Sequence, residues 1–177
     1  MHFRLVAIIA VASATAALAE PSAWKTYTYA DAGFSAAFPA KPREAAQANQ
    51  NPSLGRLDSK VYLVEHGGAA FVVSATTLPK KAFDRSSAAI LDDARDLFVA
   101  GVKGKLVKER EIALKGHPGR DLEVAAAGQV VVARLYLVRA TLYQIVAVFP
   151  KENAGGADAR RFLDGFALTP AGAPSSR

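Results

Sequence analysis

The 177-residue chain has no cysteine, a single tryptophan, a single methionine and only three histidines. Without cysteine there is no disulfide framework, which excludes the small stapled toxin and growth-factor classes. It also leaves no thiol nucleophile and no thiolate metal ligand. Of the histidines, His66 and His117 each sit beside a glycine turn. His66 follows Glu65, but adjacent strand residues point to opposite faces, and a histidine at a turn is ordinarily just solvated. No metal and no other cofactor is expected. Nucleophilic catalysis would need a base-activated serine. The nearest sequence is Gly33-Phe34-Ser35-Ala36-Ala37, which lacks the second glycine of a nucleophile elbow. The glycine-rich stretch from Asn153 to Asp158 has neither a P-loop lysine nor dinucleotide spacing, and Asp158 would repel an anion. It reads as a connector.

The chain also lacks an apolar run of the ~20 residues needed to span a bilayer. What opens it is shorter: Arg4, an apolar stretch over Leu5–Ala14, then Ala17-Leu18-Ala19. This three-part order predicts a secretory signal peptide over 1–19, cleaved to leave Glu20 first. A membrane anchor is the competing reading, and it fails on length and on the absence of following stop-transfer charges. Loss of Arg4 lowers the formal charge from +6 to +5. Residues 20–169 suit one domain with a core of its own, soluble and periplasmic or secreted, and 170–177 is expected to be a disordered tail.

Gln129–Phe149 is the most apolar stretch after the leader, interrupted near Arg139-Ala140-Thr141. It predicts two antiparallel strands, Gln129–Val138 and Leu142–Phe149, joined by a tight turn. Leu135 and Leu137 fall on one side and Val132, Tyr136 and Val138 on the other. Leu142, Val146 and Val148 likewise oppose Tyr143, Ile145 and Phe149. A hairpin apolar on both faces must be covered on both, so it belongs in the middle of a layered domain.

Upstream, Trp24–Tyr29 and Phe34–Phe38 alternate as strands, the second stopped by Pro39 and Pro42. The polar Arg43–Leu54 reads as a mobile loop, and Arg56–Leu78 as a hairpin around Gly67-Gly68. Ser86–Val102 carries a helical stripe of Ile90, Leu91, Ala94, Leu97, Phe98 and Val102, read as core. Ser86 or Ser87 caps its start and Gly104 stops its end. Lys105–Leu114 is a charged strand suited to a sheet edge. Arg120–Ala126 follows it, and Ala157–Leu163 is a short closing helix. The fold class expected is α+β, one antiparallel sheet with helices on both faces.

The charged residues offer a possible binding surface in Lys105, Lys108, Arg110, His117 and Arg120. Strict alternation puts Lys108 and Arg110 on one face and Lys105 and Lys115 on the other with Glu109 and Glu111, so the positive charge is split. A nucleic-acid reader would want one basic face with exposed aromatics, and no nucleic-acid partner is expected. Arg160 and Arg161 read as a solvated face. Arg134 stands mid-strand in the apolar hairpin and needs a carboxylate. Asp121 and Glu123 on the preceding strand are the candidates for a buried ion pair.

One pattern spans nearly the whole chain after the leader. It runs Trp24…Tyr29, Gly33-Phe34-Ser35…Phe38-Pro39…Pro42, then Gly116-His117-Pro118-Gly119-Arg120. Leu135-Tyr136-Leu137 with Leu142-Tyr143-Gln144 follows, and Arg161-Phe162-Leu163-Asp164-Gly165-Phe166 closes it. It resembles the PsbP-like (Mog/PsbP/DcrB-type) group of exported bacterial proteins. The resemblance implies an α-β-α sandwich and a non-catalytic binding or accessory module, and it carries no catalytic set. The group's pattern usually has serine where Gly165 stands. The function expected is therefore contact with another protein of the cell envelope. Contact with anionic membrane is expected to be weak and salt-sensitive at most, and the chain is expected to be a monomer. An enzyme with loop-borne acid/base residues, or a carrier of a small apolar ligand between sheet and helix, is the alternative.

Overall fold

The computed structural model describes residues 24–51, 53–153 and 156–170. The leader and the tail from 171 lie outside the described residues. In chain order the elements are β1 (Lys25–Tyr29), β2 (Phe34–Phe38), β3 (Arg43–Asn51), β4 (Gly55–His66), β5 (Ala69–Thr77), α1 (Ser87–Gly101), β6 (Lys105–Leu114), β7 (His117–Ala126), β8 (Gln129–Val138), β9 (Thr141–Pro150), α2 (Gly156–Asp164) and β10 (Ala167–Leu168). Seven strands form one antiparallel sheet in the order β3-β4-β5-β9-β8-β7-β6, and β1, β2 and β10 form a second. The predicted strands Gln129–Val138 and Leu142–Phe149 are β8 and the body of β9, paired from Val138↔Thr141 to Gln129↔Pro150.

The two-sided apolarity of that hairpin is used on both sides. Leu135, Leu137, Leu142, Val146 and Val148 join Ile90, Leu91, Ala94 and Phe98 beneath α1. Tyr136, Tyr143, Ile145 and Phe149 join Phe34, Phe38, Phe71, Phe162 and Phe166 on the other side. That second side is covered not by a helix alone but by the small sheet together with α2. Phe38 and Phe71 meet Phe162 of α2 at 5.3 and 5.2 Å between ring centroids. Phe34 stacks on Phe166 at 5.5 Å.

Three sequence expectations need correction. Arg43–Leu54 is not a loop: 43–51 is a strand paired with β4 throughout, from Arg43↔Leu63 to Asn51↔Gly55. It was hidden because a strand exposed at a sheet edge has no apolar face, hence no alternation to detect. Leu97 is not core but 46% exposed. At about 100° per residue it stands roughly 75° from the centre of the arc held by Ile90, Leu91, Ala94 and Phe98. Gly104 is needed for space: a Cβ there would lie 2.4 Å from Val124 and 2.9 Å from the Ala125 carbonyl oxygen. The left-handed residue after α1 is Lys103, at φ 50°. At the other end Ser86 caps the helix, its Oγ accepting from the Ala89 N–H at 3.2 Å.

Two further glycines of the quoted pattern also have steric reasons. At Gly119 a Cβ would lie 2.4 Å from the Leu135 carbonyl oxygen and 2.6 Å from the Tyr136 ring. At Gly165 it would lie 2.7 Å from Ala37 Cβ and 2.8 Å from the Arg161 carbonyl oxygen. Glycine at 165 thus reflects the close approach of the end of α2 to β2, rather than a permissive helix end.

Candidate functional site

The possible binding surface depends on which way the side chains of β6 point, and one residue decides it. The β6–β7 register runs Leu106↔Val124 and then Lys108↔Glu123, leaving Val107 as an extra, bulged residue. The bulge resets the alternation. Lys105 opposes Ala125, Lys108 opposes Glu123 and Arg110 opposes Asp121. These three β7 partners alternate on one face, so all three cations share the face that α2 occupies nearer the sheet centre. The expected split of Lys105 from Lys108 and Arg110 is therefore wrong, and the bulge is its physical reason. Lys105, Lys108 and Arg110 are all exposed. Val107 itself is 59% exposed.

Arg120 does not belong to this surface. It opposes Glu111 on the α1 face and is only 7% exposed. Its guanidinium reaches Asp92 of α1 at 3.1 Å, Glu109 at 3.2 Å and Glu111 at 3.1 Å. Arg95 of α1 joins the same network through Glu109 at 3.1 Å, Asp92 at 3.3 Å and Asp96 at 2.8 Å. Hydrogen bonds to Asp96 first, and then to Glu109, raise the Arg95 pKa further against the opposing effect of desolvation. Two arginines and four carboxylates thus pin α1 to β6 and β7. His117 shares the basic face but lies opposite Leu114, at the far end of β6. Four residues, about 13 Å of strand, separate it from the row of Arg110.

Arg134 is half-buried beside the basic face. Its Nε lies 3.8 Å from Asp121, which also binds Arg110. The shorter contact is one the sequence did not suggest, to Asp164 at the end of α2, at 2.7 Å. Arg134 also donates to the Leu163 carbonyl oxygen at 3.0 Å, so it caps the C-terminal turn of α2. Glu123 makes no ion pair within 4.0 Å among the described residues; it stands on the row of Lys108. Arg161 is not merely solvated, since its guanidinium lies 5.2 Å from the centroid of the Trp24 ring.

A second feature lies at the opposite edge of the sheet. A cleft of about 470 Å³ is bounded by Asp31 and Ala32, by Ala46 and Ala48 of β3, and by Arg56, Asp58 and Lys60 of β4. Arg56 is held by Asp58 at 2.9 Å. Beneath this corner the Tyr143 hydroxyl donates to the Ala32 carbonyl oxygen at 2.7 Å. Burial, and then the Glu44 and Asp31 carboxylates, push the Tyr62 phenol up to about 12. Tyr29 is raised too, by burial first and then by Glu44.

The two histidines are not brought together. His66 ends β4 and His117 begins β7, four strand steps or about 19 Å apart across the sheet and at opposite ends along it. Among the described residues no group of three or more His, Cys, Asp and Glu side chains is placed to hold a metal ion, and no helix is long and apolar enough to cross a membrane.

This architecture, a large antiparallel sheet between one helix and a mixed layer of short strands and a second helix, is the PsbP-like α+β fold. The solution structure of cyanobacterial PsbP (CyanoP) from Synechocystis sp. PCC 6803 superposes with a TM-score of 0.57, covering 88% of this chain and 98% of that one at 11% identity. At that identity the likeness is one of fold. No family model matches the sequence, and no curated protein matches it.

Proposed function

We propose that the protein is a non-catalytic accessory module of the cell envelope that works by contact with another protein through the basic face of β6. The observation that carries this reading is the bulge at Val107, which aligns Lys105, Lys108 and Arg110 on one exposed face at the edge of the sheet. The other charged clusters are spent internally: Arg120 and Arg95 hold α1, and Arg134 holds α2. Lys105 and Lys108 form no ion pair within 4.0 Å among the described residues, so both are available to carboxylates of a partner. Val107 and the half-buried Val130 and Val132 supply apolar surface beside them. An acidic protein surface fits this combination. The signal peptide expected from the sequence supports an encounter outside the cytoplasm.

The test is quantitative capture from envelope extract with the processed chain and its Lys105→Glu/Lys108→Glu/Arg110→Glu variant. One protein should be enriched by the first and lost with the variant. Its recovery should fall as salt rises, because exposed charges are screened within about 8 Å at physiological ionic strength. Equal recovery with both chains would remove β6 from the account.

A further inference from the structure

The two edges of the seven-stranded sheet differ. β6 carries five charged residues in ten and a bulge, the devices that discourage pairing with another strand. β3 at the opposite edge has neither. Its charges, Arg43 and Glu44, stand together at one end, and Ala45–Asn51 is uncharged. Its pairing with β4 is unbroken over nine residues, and its other side meets no strand among the described residues. A regular edge of about 30 Å is thus open to one more strand.

We propose that the occupant is β3 of a second copy of this chain, paired antiparallel about a two-fold axis at Gln47, so that two sheets join into one of fourteen strands. Charge and full-length pairing together select the partner and the register. On β4, Lys60 stands beside Ala46, Asp58 beside Ala48, Arg56 beside Gln50 and Tyr62 beside Glu44. With Gln47 opposite Gln47 of the second copy, Ala46 faces Ala48. The row across the interface then runs Lys60, Ala46, Ala48 and Asp58, with opposite charges at its two ends and only methyl groups between. The next row puts Arg56 and Gln50 of one copy against Glu44 of the other. A two-fold centred on Ala46 would instead align Lys60 with Lys60, and one centred on Ala48 would align Asp58 with Asp58. Like charges facing each other across the seam are unfavourable, and two-folds at Ala45 or Asn49, though they oppose unlike charges, pair only residues 43–47 or 47–51, so the Gln47 register is the one that is complementary over all of 43–51. The two-fold makes the contact self-complementary and closed, as in most soluble oligomers. A monomer is expected from the sequence, which reads these residues as a loop; the open edge of β3 is what supports a dimer instead. The basic face of β6 lies at the opposite edge and stays free in such a dimer.

The experiment is sedimentation equilibrium of the processed chain up to about 1 mM, the range in which weak pairing registers. The mass should rise toward twice that of the monomer. Ala46→Lys/Ala48→Lys, at two exposed positions, puts lysine opposite lysine and should hold the chain monomeric. Ala46→Glu/Ala48→Glu should do the same alone, and an equimolar mixture of the two variants should restore the dimer. Because the chain has no cysteine, Gln47→Cys offers a second reading: mild oxidation should link two copies at the axis, whereas Ala113→Cys on β6 should stay unlinked. A monomeric mass throughout with no Gln47→Cys dimer would overturn the proposal. So would a dimer that survives the lysine pair.

Discussion

Arg120→Met separates a structural arginine from a surface one. Methionine keeps most of the volume and removes the charge. Arg120 is 7% exposed, and its guanidinium lies 3.1 to 3.2 Å from Asp92, Glu109 and Glu111. Removing it leaves Arg95 alone among four carboxylates, so the local balance goes from two positive and four negative charges to one and four. Breaking a fully buried pair from one side costs about 3–5 kcal/mol. Here the penalty is smaller, because the carboxylates can turn to water: the Glu111 side chain is 83% exposed and that of Asp92 43%. Glu109, at 25%, is the least exposed of the three and is left with Arg95 alone as its partner. The expected loss is therefore about 2–3 kcal/mol, which shifts a urea midpoint by roughly 1–2 M for a chain of this size. Adding Glu109→Gln removes one of the excess carboxylates and should recover part of the loss, giving a double-mutant coupling of about 1 kcal/mol. The assay is urea unfolding of the four proteins of the cycle followed by far-UV circular dichroism. A loss under about 0.5 kcal/mol for Arg120→Met, the size of an ordinary surface change, would refute the assignment and return Arg120 to the surface.

Other outcomes follow from packing and burial. Leu91→Ala, at 0% exposure, should cost about 2–5 kcal/mol, while Leu97→Ala, at 46%, should cost under about 1 kcal/mol; equal urea midpoints would contradict the phase of α1. Gly165→Ser drives a Cβ into Ala37 and should lower the melting temperature, whereas a stabilised variant would contradict the packing of α2 on β2. The buried phenol of Tyr62, raised to about 12, binds its proton more tightly when folded. Its contribution is full below pH 10 and is lost as pH rises toward 12, on the order of 2–3 kcal/mol. Tyr62→Phe should flatten that alkaline loss in a pH series of urea melts, and an unchanged slope would show that the ring is not buried. Binding to anionic liposomes should be weak at low salt and vanish near physiological salt; tight binding at high salt in a co-sedimentation assay would favour a membrane over a protein partner.

The sequence was most legible where burial imposes a period. β8 and β9 read correctly, with the right side chains on each face, because both strands are apolar on both faces and are joined by a short turn. α1 read correctly in extent but not at its shoulder, since Leu97 fits the same stripe and only the position of β7 and β8 shows where the contact ends. β3 was invisible because nothing about Arg43–Asn51 is buried on either face. Its strand character comes from pairing with β4, which is a tertiary fact. The bulge at Val107 left no mark in Leu106-Val107-Lys108, yet it reverses the face of Lys105. Asp164 was missed as the partner of Arg134 because the two lie thirty positions apart and meet only when α2 docks. Asp121, one strand over, was within reach of the sequence, and its geometry is the longer of the two.

The central claim, that the protein works through the α2-side face of β6, can be tested position by position. A photo-crosslinking amino acid placed singly at 105, 108, 110, 109, 111 and 113 in cells reports which side chains touch another protein. The account predicts adducts to one protein from 105, 108 and 110, and none from 109, 111 and 113, whose rows share the face of Arg120. Adducts from both sets, or from the second set alone, would contradict it.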